Sequence, residues 1–169
     1  MQLLRLCDFS APFSLNDVGC GYGALLAFLS RRHKRKEIRY LGLDLSAAMI
    51  AQARQLWRKR SDAEFVVASA SPRVADYSMA SGIFNVKLDH SDALWTQFIE
   101  ATLAAMHATS RRGFAVNFLA PLADGAGAPE LYRVQPALWT TYCEREFGAE
   151  VEVLDNYGMR EYTLLVRMP

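Results

Sequence analysis

The most constraining stretch of this chain is Leu15-Asn16-Asp17-Val18-Gly19-Cys20-Gly21-Tyr22-Gly23-Ala24-Leu25-Leu26. A short strand, Ser14 to Val18, runs into glycines at every second position, and an apolar helix with Leu25, Leu26, Phe28 and Leu29 follows. Glycine permits a sharp strand-to-helix turn and lets a ligand approach the backbone closely. The opening of the helix aims free N–H groups at that ligand. A dinucleotide site is the rival reading. The spacing, however, is G-x-G-x-G rather than G-x-G-x-x-G, because Ala24 and Leu25 follow Gly23. Asp17 ends the strand two positions before the first glycine. A second strand, Arg39 to Leu43, delivers Asp44, placed to accept hydrogen bonds from ribose hydroxyls.

The rest of the chain alternates between helical and extended patterns. Met1 to Cys7 reads as the last turns of a helix, and Asp8 to Phe13, with Pro12, as a loop. The helix from about Ala24 to His33 ends in a basic run, Arg31 to Lys36. Cations there complement the helix dipole, and no aromatic residues are interleaved as a nucleic-acid surface would require. Ser46 caps the next helix, which carries Met49, Ile50, Ala53, Leu56 and Trp57. Phe65 to Ala68 is a short buried strand, and Met79 to Val86 reads as another that overruns into a loop. Ala93 to Ala108 is helical, with Leu94, Phe98, Leu103 and Met106 near one face; Arg111-Arg112-Gly113 stops it and Phe114 to Leu119 is a strand. The loop from Ala120 to Gln135 holds Pro121, Gly125, Gly127 and Pro129, and a loop of this length is often a lid or binding loop. A helix from Pro136 to Phe147 precedes Gly148, and strands at Glu150 to Leu154 and Tyr162 to Val166 flank a turn. This alternation predicts an α/β fold, a parallel sheet wound on both faces with ligands at the strands' carboxyl ends.

The totals bound the function. A chain of 169 residues is one domain, 1–169, by the usual prior, and buries a core without staples. A net charge of +1 disfavours a general nucleic-acid binder. Cys7, Cys20 and Cys143 fit neither a disulfide framework nor metal-ligand spacing, so the reading favours a reducing, cytoplasmic setting and no metal. No apolar run is long enough to span a membrane.

At Asp17-x-Gly19-x-Gly21-x-Gly23, and at the acidic residue closing the second strand, the chain resembles the class I S-adenosylmethionine-dependent methyltransferases. The resemblance covers Ser14 to about Asn85 well and the remainder by topology. It implies a Rossmann-like, doubly wound, mostly parallel seven-stranded sheet, with helices on both faces and an antiparallel strand from the C-terminal hairpin. It also implies S-adenosylmethionine as cofactor and S-adenosylhomocysteine as product. By that resemblance Gly19, Cys20, Gly21, Tyr22 and Gly23 make room for the cofactor's methionine part, and Asp17 orders the loop and helps hold the ammonium group. Asp44 takes both ribose hydroxyls and Leu45 flanks the adenine. Ser69 stands, with Ala70, where the family usually places an acidic residue for the adenine amino group; Ser81 and Gly82 lie under the methionine chain.

The family's nucleic-acid amino methyltransferases carry an acidic or amide residue, two prolines and an aromatic after the fourth strand. Here that place reads Ser81-Gly82-Ile83-Phe84-Asn85, and no Pro-Cys pair is present. The expectation is therefore a small-molecule oxygen, nitrogen or carbon acceptor, with Asn85 and His90 as the catalytic candidates. Tyr22 and Phe84 are candidates to close over a sulfonium with their ring faces. The alternatives are an RNA methyltransferase using residues 31–36, and a cofactor-binding protein without transferase activity. Only sixteen residues precede Asp17. The methyl-donor end is accordingly expected to be poorly covered unless the loop from Ala120 to Gln135 or a homodimer partner covers it.

Overall fold

The computed structural model describes residues 2–122 and 127–169. Gly125, within the long loop read from the sequence, lies outside the described residues. The described strands are β1 (Phe13–Val18), β2 (Ile38–Asp44), β3 (Ala63–Val67), β4 (Ala75–Ala80), β5 (Ser110–Leu119), β6 (Glu150–Leu154) and β7 (Glu161–Arg167). They form a seven-stranded sheet in the order β3-β2-β1-β4-β5-β7-β6. Strands β1 to β5 pair in parallel, and β7 runs antiparallel to both β5 and β6. The helices are α1 (Ala24–Arg32), α2 (Ala47–Leu56), α3 (Asp92–Ala108) and α4 (Pro136–Phe147), with a 3-10 helix at Gln2–Leu6.

Side chains alternate across the sheet, so each strand feeds two apolar layers. Leu15 and Met79 face a layer made with Leu25, Leu26 and Leu29 of α1, Ile50 and Ala53 of α2, and Leu3 and Leu6 of the 3-10 helix. Val18, Ala80, Val116 and Phe118 face the other layer, against Ile99, Leu103 and Met106 of α3 and Trp139 and Cys143 of α4. After β1 the chain builds outward through β2 and β3, then returns to place β4 on the other side of β1. The carboxyl ends of β1 and β4 thus flank the point where the winding reverses, which is where such sheets bind ligands.

Three expectations from the sequence are corrected. The fourth strand is Ala75–Ala80 rather than Met79 to Val86. Its polar residues are legitimate strand residues because distant partners satisfy them: Asp76 accepts from Ser14 and Ser78 accepts from the Ser110 hydroxyl. The fifth strand begins at Ser110, so Arg111-Arg112-Gly113 is strand and not a stop. At Gly113 an added Cβ would stand 2.3 Å from the Val166 carbonyl oxygen, so its small size serves the close approach of β7. On α3 the buried stripe is Ile99, Leu103 and Met106, whereas Leu94 and Phe98 are exposed.

Candidate functional site

The glycine turn follows β1 directly. The Gly19 and Cys20 amides both donate to the Leu43 carbonyl, at 2.8 and 3.0 Å, which ties the turn to the end of β2. The three glycines differ in what surrounds them. A Cβ at Gly23 would lie 2.6 Å from Trp57 Nε1, which itself donates to the Tyr22 carbonyl at 2.9 Å. A Cβ at Gly19 would collide with Ile83. Gly21 has a positive φ of 53° and nothing within 4 Å of its Cβ position. Two of the glycines therefore serve the protein's own packing, and Gly21 alone leaves an open face over the turn.

Asp44 closes β2 and reaches across to that turn. Its Oδ2 accepts from the Gly21 amide at 3.0 Å and its Oδ1 accepts from the Ser46 amide at 2.8 Å. Ser46, not Asp44, caps α2, through Oγ accepting from the Met49 amide. A carboxylate offers about four lone-pair sites, so two remain for a ligand. Beside Asp44 lies a cleft of about 370 Å³. Its walls come from Val18, Gly19, Leu45, Ala68 and Ser69 on the strand ends, and from Ile83, Trp95, Phe98 and Thr102 opposite. A mostly apolar slot with one carboxylate at its edge suits a flat ring system carrying vicinal hydroxyls. Ala70 is exposed just beyond Ser69, and Tyr22 stands half-exposed on the turn.

Asp17 sits behind the turn. It shares a strand face with Phe13 and Leu15, is buried, and accepts from the Tyr40 hydroxyl at 2.5 Å. Burial raises its carboxyl to about 7; the Tyr40 hydrogen bond opposes the shift and the charge of Asp44 adds to it. Burial also pushes the neighbouring Cys20 thiol up to about 12. With its folded value raised, Asp17 stabilises the fold most below pH 4, and that contribution is lost as pH rises through about 7. The Asp17→Asn variant, which cannot ionise, is expected to gain on the wild type between pH 5 and pH 8. Urea unfolding of both proteins at each pH checks this, and two curves that stay parallel would contradict it.

Beyond β4, Gly82 donates its amide to Asn117 Oδ1 at 2.8 Å, and Ser81 opens onto a second cleft of about 280 Å³. Its walls include Asn117 of β5, Glu161 and Thr163 of β7, Tyr157, and Leu3 of the 3-10 helix. The two clefts share no lining residue: Val18 and α3 wall the first, on one face of the sheet, and Leu3 with β5 and β7 the second, on the other. Phe84, a candidate to cover a sulfonium, is core: it is 1% exposed and stacks on Phe118 with ring centroids 5.1 Å apart. Asn85 and His90 line neither cleft. Asn85 Oδ1 is buried without a hydrogen-bond partner, and exposed His90 stacks alongside Trp95. The described part of the long loop lies on the segment after β4. The Lys87 and Leu88 amides donate to the Glu130 carbonyl, and the Tyr132 amide to the Asn85 carbonyl. Among the described residues no group of histidine, cysteine or acidic side chains could hold a metal ion. No described helix is long and apolar enough to cross a membrane.

Sequence reasoning missed Trp95, Phe98, Asn117 and Glu161. Asn117 carried a readable signal as the lone polar residue in Phe114 to Leu119, whereas Phe98 sat in a pattern that reads as core.

Comparison with known proteins identifies the family and the fold. The family model described as a methyltransferase domain matches residues 16–113. A protein of Mycobacterium tuberculosis, whose name assigns it by inference as a methyltransferase, is 42% identical over 165 residues, 97% of this chain and 98% of its own. Among solved structures, an S-adenosylmethionine-dependent methyltransferase from Aquifex aeolicus superposes with a TM-score of 0.67 at 17% identity, covering 98% of this chain and 87% of that one. Magnesium protoporphyrin IX methyltransferase from Synechocystis, with bound S-adenosylhomocysteine, gives 0.71 at 13% identity, covering 94% and 75%. Human N-acetylserotonin methyltransferase, in complex with S-adenosylmethionine, gives 0.71 at 17% identity, covering 98% and 50%.

Proposed function

The chain belongs to the class I S-adenosylmethionine-dependent methyltransferases, and from that premise we propose that it methylates a small molecule at oxygen, nitrogen or carbon. The observation that carries this reading is the pairing of Asp44 with the open face of Gly21 at the mouth of the apolar cleft. These residues fit the cofactor. Asp44 has lone pairs left for two ribose hydroxyls, and Leu45, Ser69, Trp95 and Phe98 offer walls for an adenine. Gly21 brings bare backbone to the methionine part, Gly19 lines the cleft, and Cys20, Tyr22 and Gly23 shape the turn. Ser81 and Gly82 underlie the methionine chain. Asp17 acts through the turn it supports rather than by contact.

When bound, S-adenosylmethionine supplies a methyl group on a sulfonium, open to in-line displacement by the acceptor's lone pair. Positive charge on sulfur is lost as the new bond forms, so the protein needs little electrostatic help for the leaving group. Its contribution is alignment and exclusion of water. A base is needed only where the acceptor must lose a proton first.

The RNA reading is not favoured. Residues 31–36 span the last two residues of α1 and the link to β2; α1 begins after the carboxyl end of β1 and leads back to the start of β2. The basic run therefore sits at the opposite end of the sheet from both clefts. All three cysteines are free and buried, which suits a reducing cytoplasm. A homodimer in which a second copy covers the methyl-donor end is part of the proposal, and sedimentation tests it.

Titration calorimetry tests the cofactor. S-adenosylmethionine and S-adenosylhomocysteine are expected to bind, and nicotinamide dinucleotides to give no heat. The reverse preference would overturn the reading. Binding without release of S-adenosylhomocysteine, across acceptors of all three atom types, would favour a protein that holds the cofactor without transferring from it.

A further inference from the structure

The second cleft contains a carboxylate that the reading above does not use. Asn117, Glu161 and Thr163 lie on the sheet face shared with Ala115 and Leu165, where the layer is otherwise apolar. Asn117 is buried and both ends of its amide are engaged: Oδ1 accepts from the Gly82 amide at 2.8 Å, and Nδ2 donates to Glu161 Oε2 at 2.9 Å. The other carboxylate oxygen stands 3.5 Å from the Tyr157 hydroxyl, which pairs with Thr163 Oγ1 at 3.0 Å. The strand end after β4 is thus linked through one amide to a fixed carboxylate in the neighbouring cleft.

Glu161 takes part in none of the ion pairs among the described residues. Its identified partners are neutral donors. They fix the carboxylate's position without cancelling its charge. A half-buried carboxylate without a counter-charge is costly, and a cation that enters beside it removes that cost. Among the described residues the lining of this cleft, which includes Gln2, Leu3 and Met159, holds no cationic side chain. A carboxylic acid or phosphate would meet repulsion there. An ammonium would meet a ready partner and, at about 280 Å³, room for a small molecule.

We propose that the acceptor is a small primary amine, held by Glu161 in the cleft between Ser81 and Thr163, with Asn117 as the residue that positions Glu161. This inference rests on the methyl-transfer reading. The amine enters as R–NH₃⁺. One proton passes to the Glu161 carboxylate and on to solvent, leaving a nitrogen lone pair. That pair forms the N–C bond as the C–S bond breaks, and the breaking bond's electrons stay on sulfur. The product R–NH₂⁺–CH₃ carries its positive charge beside Glu161, so the carboxylate serves both ends of the reaction.

Binding measured in the presence of saturating S-adenosylhomocysteine separates the claims. The probes are benzylamine, benzyl alcohol and benzoate, which share a ring and differ in the group offered to Glu161. In wild-type protein benzylamine is expected to bind most tightly and to shift the Gly82 amide resonance. Glu161→Gln preserves shape and removes charge; it is expected to weaken benzylamine binding by about tenfold or more and to leave S-adenosylhomocysteine affinity unchanged. Benzoate or benzyl alcohol binding as well as benzylamine would overturn the proposal. So would undiminished benzylamine affinity in Glu161→Gln, or no benzylamine binding up to its solubility limit. Failure of S-adenosylhomocysteine to bind wild-type protein is a different result: it would overturn the methyl-transfer reading, and this inference with it.

Discussion

Replacing Asp44 with alanine is expected to weaken S-adenosylmethionine binding by about two to four orders of magnitude. The size follows from two hydrogen bonds to a charged acceptor, worth ~1.5–3 kcal/mol each, at about 1.4 kcal/mol per tenfold. Asp44 also holds the Gly21 amide at 3.0 Å, so the variant loosens the turn as well as losing the ribose contacts. The fold is expected to survive. Asp44 closes its strand, Ser46 keeps the cap of α2, and water can reach the two amides released. Asp44→Asn is the sharper variant: it keeps one acceptor oxygen but turns a donor toward either the Gly21 amide or the ligand, and should fall between wild type and alanine. Calorimetry gives the affinities, and urea unfolding shows whether the fold is intact. An unchanged affinity in a folded Asp44→Ala protein would reduce the residue to a tether for the turn.

The parts of this site that could be read from the sequence are those whose constraint is local. The turn from Gly19 to Gly23 shows in the sequence because a strand-to-helix reversal needs small residues at fixed offsets. Asp44 shows because it ends a strand. The second cleft is different. Asn117 and Glu161 are 44 residues apart and meet only because β7 folds back antiparallel on β5. No local pattern joins them. Distance also hid the start of β4: Asp76 looks like a loop residue until Ser14, 62 positions earlier, is seen to satisfy it. Trp95 and Phe98 lie on a helix whose amphipathic pattern is read as core. They stand off the buried stripe and line a cleft that exists only once the segment after β4 passes beneath α3. Asp17 has a partner that the motif does not announce. The period of the strand puts it on the face of Phe13 and Leu15, where Tyr40, 23 positions later, reaches it.

The same distinction yields a test at the glycines. Gly19→Ala is expected to destabilise the protein by about 2–5 kcal/mol, combining ~1–2 for a side chain in the left-handed region with ~1–3 for overpacking. The residue has φ 72°, and its Cβ would stand 2.2 Å from Ile83 Cγ2, so the segment after β4 has to move. Ile83 is also a wall of the apolar cleft proposed for the cofactor, so affinity should fall with stability. Gly21→Ala meets no such neighbour. It should lose only the left-handed term in stability, yet place a methyl group on the face left open for the ligand. Urea unfolding paired with calorimetry separates the two variants: Gly19→Ala loses both quantities, and Gly21→Ala loses mainly affinity. Adding Ile83→Ala to Gly19→Ala removes the colliding methyl but not the backbone strain. A double-mutant cycle should therefore show a favourable coupling between positions 19 and 83. Strict additivity would mean that the turn and the segment after β4 do not press on one another. Gly19 would then be required by backbone conformation alone.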